Sequence, residues 1–246
     1  MKKAIVTGTS SGIGKACAEQ FLERGWTVVG VARREASIRH DDYVHHRVDL
    51  GDPEAFEFFC ETVVDRVLAS DAERIALVNN AARVGAMTRV RDFGMRDLSE
   101  LHALNTASPI ALMGRCVSRR REGVALRIVN ISSGAAHSPF PGLGDYCATK
   151  AALRIAGQTL ALELEADGVA ARDVAVFSYE PGLVDTQMQV MGRTSDPEVF
   201  PSQATFAGFH ADGALVSPED SARPIITFSE SSAPEGHFEE SRFGNS

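Results

Sequence analysis

Ala4-Ile5-Val6-Thr7-Gly8-Thr9-Ser10-Ser11-Gly12-Ile13-Gly14 runs from an apolar, β-branched stretch into a glycine-rich turn, and a helical pattern follows over about 12–25. A strand that turns straight into a helix leaves the first amides of that helix free, and the helix dipole adds positive character there, so Gly8, Ser10, Ser11, Gly12, Ile13 and Gly14 can hold a pyrophosphate. Glycine allows the sharp bend, the close approach of a ligand and tight packing of helix on strand. The same glycines can exist for geometry alone, but a place directly after the first strand favours the anion site. The spacing is G-x-x-x-G-x-G. It is not a P-loop, because Lys15 lacks both the correctly placed first glycine and a following Ser or Thr, and ATP is therefore disfavoured.

Outward from this turn, β-branched runs near 3–7, 27–32, 43–48, 74–79, 124–131 and 172–179 alternate with helical patterns near 12–25, 53–69, 97–121, 145–167 and 218–229. Alternation of this kind predicts a parallel sheet. Ala4-Ile5-Val6, Val28-Val29, Ala76-Leu77-Val78 and Ile128-Val129 are continuously apolar, as strands covered on both faces must be. The fold class is thus α/β, a doubly wound parallel sheet whose ligands bind beyond the carboxyl ends of its strands. No linker, repeat or low-complexity tract divides the chain, so one domain spanning 1–246 is expected. Within it, the periodicity lapses from about Gly192 to Ser217, while Met188, Met191, Phe200, Phe206 and Phe209 supply bulky apolar groups near the expected crevice. The segment 186–217 reads as an insertion that lids the site, or equally as a small packed helical excursion. The final stretch, Gly236-His237-Phe238-Glu239-Glu240, reads as a short, acidic last strand.

Composition narrows the partners. Hydrophobic residues form 44% and charged residues 24% of the chain, ordinary globular usage that excludes a disordered or fibrous protein. Lys and Arg number 25 against 33 Asp and Glu, and a net charge of −8 repels nucleic acid and anionic membranes. The run Arg119-Arg120-Arg121 falls where a helix should end and complements its dipole. Met1-Lys2-Lys3 precedes too short an apolar run for a signal peptide or a membrane span, so a cytoplasmic location is expected. Cys17, Cys60, Cys116 and Cys147 lack any CxxC pairing and read as reduced thiols; His45 and His46 fall on a strand and face opposite ways, so no metal site is expected.

Two further features carry chemistry. Tyr146-Cys147-Ala148-Thr149-Lys150 places a phenol and an ammonium one helical turn apart on the same face. Moving an ordinary tyrosine from about 10 to neutrality takes on the order of 4 kcal/mol of differential stabilisation, which a nearby ammonium and a positively charged bound group could supply. Ser133, thirteen positions before Tyr146, ends the fifth strand beside that helix, where its hydroxyl can hold a carbonyl. A lone YxxxK match says little. Its combination with Ser133 and the glycine turn is specific. At the end of the second strand stands Ala32-Arg33-Arg34 in place of the acid that would bind a ribose 2′-hydroxyl. Arg33 suits a 2′-phosphate, and the bland alternative is a solvated loop arginine.

Together these residues resemble the short-chain dehydrogenase/reductase family over nearly the whole chain. The resemblance implies a Rossmann-type fold and a nicotinamide cofactor. Thr7 to Gly14 is similar to the family's TGxxxGxG turn, Asp49-Leu50 to its adenine-contacting acid after the third strand, and Asn79-Asn80-Ala81-Ala82 to its NNAG motif. Asn105 resembles the helix asparagine that positions a water relay to the lysine. Pro181-Gly182-Leu183-Val184-Asp185-Thr186 resembles the segment flanking the nicotinamide, with Thr186 on the carboxamide. Ala82 departs from the family's glycine, and Glu180 stands where many relatives have a small residue. Within the family, Ile131-Ser132-Ser133-Gly134-Ala135-Ala136, Asp145-Tyr146-Cys147 and Val184-Asp185-Thr186-Gln187-Met188-Gln189 look most like the sepiapterin reductase and benzil reductase branch, which reduces vicinal dicarbonyls and related ketones with NADPH.

By that likeness Ser133, Tyr146, Lys150 and Asn105 form the catalytic set, and the cofactor contacts are Gly8, Ser10, Ser11, Gly12, Ile13, Gly14, Arg33, Asp49, Leu50, Asn80, Ala81, Tyr146, Lys150, Pro181, Gly182, Val184 and Thr186. The expected activity is reduction of a ketone or vicinal diketone, with NADP(H) preferred over NAD(H). An alcohol dehydrogenase working oxidatively and a non-catalytic NADP-sensing protein are the rivals. A tuned phenol has no use in a sensor. The helix carrying Tyr146 is apolar over more than one stripe, and the resemblance implies a homodimer or homotetramer that covers its second face.

Overall fold

In the computed structural model, which describes residues 1–244, each apolar run read above becomes a strand of one sheet; residues 245 and 246 of the expected domain lie outside the described residues. The elements are β1 (Lys2–Thr7), α1 (Gly12–Glu23), β2 (Thr27–Ala32), β3 (Tyr43–Arg47), α2 (Pro53–Phe59), α3 (Asp65–Leu68), β4 (Arg74–Asn79), α4 (Met95–His102), α5 (Ser108–Arg119), β5 (Ala125–Ile131), α6 (Gly144–Ala166), β6 (Val174–Glu180), α7 (Gln187–Thr194), α8 (Gln203–Ala211), α9 (Pro218–Glu230) and β7 (Phe238–Arg242). The strand order is β3-β2-β1-β4-β5-β6-β7, and every pairing is parallel. This is the doubly wound Rossmann-type sheet that the sequence predicts.

Alternation along each strand divides the core. Ala4 and Val6 of β1 face Phe21, Ile225 and Phe228 in the layer built by α1 and α9. Ile5 faces the opposite layer, with Phe59, Leu68, Leu112 and Leu153 of the helices there. The order reverses between β1 and β4, which opens a crevice at their carboxyl ends, and the quoted turn lies on that crevice.

Several boundaries differ from expectation. The helix expected over 53–69 is interrupted by a π turn, Cys60–Val64, and the helix expected over 97–121 starts at Met95, ends at Arg119 and carries a π turn at Ala103–Ala107. The sixth strand starts at Val174 because 171–173 form a turn. The last strand is displaced to Phe238–Arg242, where it pairs with β6 from Val176↔Phe238 to Glu180↔Arg242. The 186–217 segment is helical, folding into α7 and α8, and its two ends meet in a bridge between Val184 and Val216.

Candidate active site

The glycine turn is held by a knot of hydrogen bonds to the end of β4. The Thr7 hydroxyl donates to the Val78 carbonyl at 3.2 Å and accepts from the amides of Asn80 and Ala81 at 2.9 and 2.8 Å. The Asn80 side chain donates to the Thr7 carbonyl at 2.8 Å. Gly8 adopts φ +78°, and a Cβ on Gly14 would strike the Gly8 carbonyl oxygen and the Asn80 amide. The first amides of α1 are left open: Ser11 occupies the N-cap without a side-chain bond, and no acid stands in the first turn. A Cβ on Gly12 would lie 3.4 Å from the Thr186 side chain, so the loop after β6 closes over this turn. Open amides in a cradle with no room for side chains fit the pyrophosphate of a dinucleotide.

Beside the turn, Arg33 and Arg34 separate. Arg33 lies 3.8 Å from Asp49, while Arg34 reaches the hydroxyls of Ser10 and Ser11 at 3.5 and 3.2 Å. A cleft of about 670 Å³ opens here, lined by Arg33, Asp49, Gly51, Arg83 and Leu104 among others. Leu50 is buried in the core next to it. The Tyr43 hydroxyl donates to Thr9 Oγ1 at 2.9 Å and meets His45 Nδ1 at 3.0 Å, while the far nitrogen of His45 lies 3.0 Å from the Arg34 carbonyl. His46 packs on Phe59 instead.

The proton-carrying groups gather at the end of β5. Ser133 follows the strand and caps a short 3-10 turn, Gly134–Ala136, with its Oγ accepting from the Ala135 amide at 3.2 Å. Tyr146 enters from the first turn of α6 and is 7% exposed, packed with Val84, Met87, Ala135, Leu143 and Phe200. Burial pushes its phenol up to about 12, with the side chain of Ser133 pulling the other way. Lys150 is buried as well: its Nζ lies 5.7 Å from the Tyr146 ring centre and donates to the Ile131 carbonyl at 2.7 Å, and burial lowers it to about 8. Burial thus works against the lowered phenol that the sequence expectation asks of the ammonium together with a bound nicotinamide. Desolvation is the largest cause, and the Lys150 amine is engaged with the Ile131 carbonyl.

Asn105 sits in the π turn between α4 and α5. Its side chain accepts from the Arg83 amide at 3.0 Å, donates to the Arg83 carbonyl at 2.8 Å, and reaches Thr149 Oγ1 at 3.3 Å. Thr149 in turn donates to the Tyr146 carbonyl at 2.8 Å. Asn105 thus ties the loop after β4 to α6 at the residue before Lys150. On the other side Gly182 takes φ +77°, the Pro181 carbonyl accepts from Ser221 at 3.1 Å, and Val184 is buried. Glycine turn, Ser133, Tyr146, Lys150, Asn105 and the Pro181 loop all collect at the carboxyl end of the sheet.

A family profile described as short chain dehydrogenase matches residues 2–196. The chain belongs to this family. It is therefore an oxidoreductase acting on carbonyl or hydroxyl groups, and the family binds a nicotinamide cofactor. The chain is 30% identical to the benzil reductase ((S)-benzoin forming) of Bacillus subtilis (strain 168), with 96% of each chain covered. It is also 30% identical to the sepiapterin reductase of Mus musculus, covering 90% of this chain and 89% of that one. Both match the branch that the sequence motifs resemble. A short chain dehydrogenase/reductase from Saccharomyces cerevisiae shares the fold with a TM-score of 0.82 at 24% identity, over 100% of this chain and 97% of that one.

Sequence reading did not single out Thr149, although it stands inside the YxxxK motif, nor Arg34, which adjoins the chosen Arg33. It also missed His137, whose neighbours come from distant strands. Thr7 was read as part of a motif, but its role as a three-way hydrogen-bond hub was not. Among the described residues no helix is long and apolar enough to cross a membrane.

Proposed function

We propose that this enzyme reduces ketones or vicinal diketones, with Tyr146 as the acid that protonates the substrate oxygen. A bound NADPH supplies the hydride. The observation that carries the reading is a buried phenol beside Ser133, one helical turn from a buried amine. Reduction needs a proton donor that is still protonated when substrate arrives, and a phenol pushed up to about 12 meets that need. Ser133 holds the carbonyl oxygen, Lys150 keeps a buried amine one helical turn from the phenol, and Asn105 anchors the path by which a proton is returned. Tyr146→Phe removes the acid without changing the buried volume. We expect at least a ~1000-fold loss of kcat with little change in cofactor affinity, by analogy with the size of general-acid contributions. Retention of substantial turnover would remove Tyr146 from this role.

NADP(H) is the cofactor we propose over NAD(H), because two guanidinium groups, Arg33 and Arg34, flank the turn and no acid ends β2. Gly8, Ser10, Ser11, Gly12, Ile13 and Gly14 would hold the pyrophosphate; Asp49, Leu50, Asn80 and Ala81 would border the adenosine; Pro181, Gly182, Val184 and Thr186, with Tyr146 and Lys150, would line the nicotinamide. Steady-state comparison of the two cofactors checks this, and NADH working as well as NADPH would refute it. The substrate side is apolar: Phe200 and Phe206 of the 186–217 segment pack edge to face, and Phe200 belongs to the cluster around Tyr146. We propose that this segment is the lid of the site within a single 1–246 domain, and that flat, apolar dicarbonyls suit it.

The benzil and sepiapterin reductases named above support that substrate class. Ile155 and Leu162 on α6 are 56% and 67% exposed, and Ile110 on α5 is exposed as well. We assign these side chains to a homodimer or homotetramer contact; sedimentation as a monomer at micromolar concentration would contradict it. Four free cysteines suit a cytoplasmic setting.

A further inference from the structure

Glu180 is the last residue of β6, directly before the Pro181 loop, and only 12% of its side chain is exposed. Its carboxylate lies 3.0 Å from His137 Nε2 and 4.0 Å from Arg242 Nε. His137 ends the 3-10 turn that Ser133 begins. The same His137 nitrogen lies 3.4 Å from Glu240 of β7. That nitrogen therefore stands between two carboxylates at ion-pair distance. Glu240 is gripped in turn by Arg154 through two bonds of 2.6 and 2.7 Å, with Ser178 at 3.4 Å. Arg154 lies on α6 one turn beyond Lys150. Arg154 also holds the Glu240 carboxyl below its ordinary range, so it stays an acceptor at neutral pH.

These side chains link the three segments on which the site depends: the Ser133 turn, α6 with Tyr146 and Lys150, and the loop that begins at Pro181. The backbone adds one more tie, the Phe243 amide donating to the Glu180 carbonyl at 2.9 Å. We propose that His137, Glu180, Glu240 and Arg154 form a strut that positions the Ser133 hydroxyl against the Pro181 loop and α6. Its residues are positioning residues, and the strut rests on the reading of Ser133 and Tyr146 given above.

Isolated surface ion pairs contribute little to stability. The consequence here is geometric: a displacement of about 1 Å at a reacting group lowers turnover by on the order of 100-fold. The strut also explains why β7 continues to Arg242 despite its exposed, charged sequence. Its register sets Glu240 opposite Ser178 and Arg242 opposite Glu180, and thereby brings both carboxylates to His137.

The test compares His137→Ala, His137→Gln, Glu180→Gln and the Ala/Gln double variant in a benzil-reduction assay with NADPH. Tyr146→Phe runs alongside, and NADPH fluorescence gives cofactor affinity. His137→Ala is expected to lower kcat by roughly 10- to 100-fold while the NADPH Kd changes by less than about two-fold, as for lost positioning. His137→Gln keeps an N–H donor near the carboxylates and should recover at least about half of the logarithmic loss. The double variant should be no worse than the poorer single, because both break one unit. Wild-type kcat in His137→Ala, no recovery in His137→Gln, or losses that multiply in the double variant would each overturn the strut. If Tyr146→Phe is inactive while His137→Ala is normal, the strut alone fails; if Tyr146→Phe stays active, the underlying reading fails too.

Discussion

Helices α1 and α9 pack side by side on one face of the sheet and start at the same edge, yet their first turns are finished in opposite ways. At α9, Ser217 accepts from the Asp220 amide at 3.0 Å, Pro218 opens the helix, and Glu219 and Asp220 answer its dipole. The chain itself satisfies that helix. At α1, Ser11 makes no cap, no acid enters the first turn, and glycines clear the space in front of the amides. Positive character left uncompensated by the chain is available to an anion. The difference separates a helix start that stabilises the fold from one reserved for a ligand.

Altering the open end should have the larger effect. A methyl group at Gly14 collides with the Gly8 carbonyl and with Asn80, and neither can retreat because Asn80 is tied to Thr7. Gly14→Ala is expected to raise the NADPH Kd by roughly 100-fold or more, close to 3 kcal/mol. Fluorescence titration measures it, and near-wild-type affinity would show that the space above the turn is not what holds the cofactor.

How far this contrast can be read from sequence depends on the range of the contacts. The open turn was legible because Gly8, Gly12 and Gly14 are neighbours and their spacing is a local backbone requirement. Tyr146 and Lys150 were legible for the same reason, four positions apart on one helix. Arg34, Thr149 and the His137 strut were not. Arg34 differs from Arg33 only by which way the chain leaves β2, and the strut depends on the pairing of β6 with β7, whose register the charged sequence around Glu239 does not specify. The π turn that holds Asn105 leaves no mark on hydrophobic periodicity, because it inserts one residue where packing of α4, α5 and α6 allows it. The burial of the phenol was not legible either, because spacing gives proximity but not burial.

Lys150 sharpens the comparison with a charge that is enclosed rather than open. Its folded value of about 8 lies below the ordinary 10.5, so the unfolded chain binds the proton more tightly. Below about 8 the full penalty is present, on the order of 3 kcal/mol; between about 8 and 10.5 it is relieved as the pH rises. Lys150→Met removes the penalty but leaves the Ile131 carbonyl without its donor, which offsets part of the gain. The informative quantity is therefore the slope. The wild-type protein should gain stability relative to Lys150→Met from pH 7 to pH 10, read from denaturant midpoints at each pH. A constant difference across that range would mean that the amine is not held against its charge.

The smallest effect belongs to the closed helix start. Ser217→Ala deletes the hydroxyl that caps α9 but leaves the carboxylates of Glu219 and Asp220 in place, so the dipole remains partly answered. A lost serine cap costs about 1 kcal/mol, enough to lower the melting temperature by a few degrees in a domain of this size. Turnover and NADPH affinity should not change, because the Ser217 hydroxyl bonds only within its own helix start, to Asp220. A Ser217→Ala variant with normal stability but weakened cofactor binding would reverse the assignment of the two helix starts.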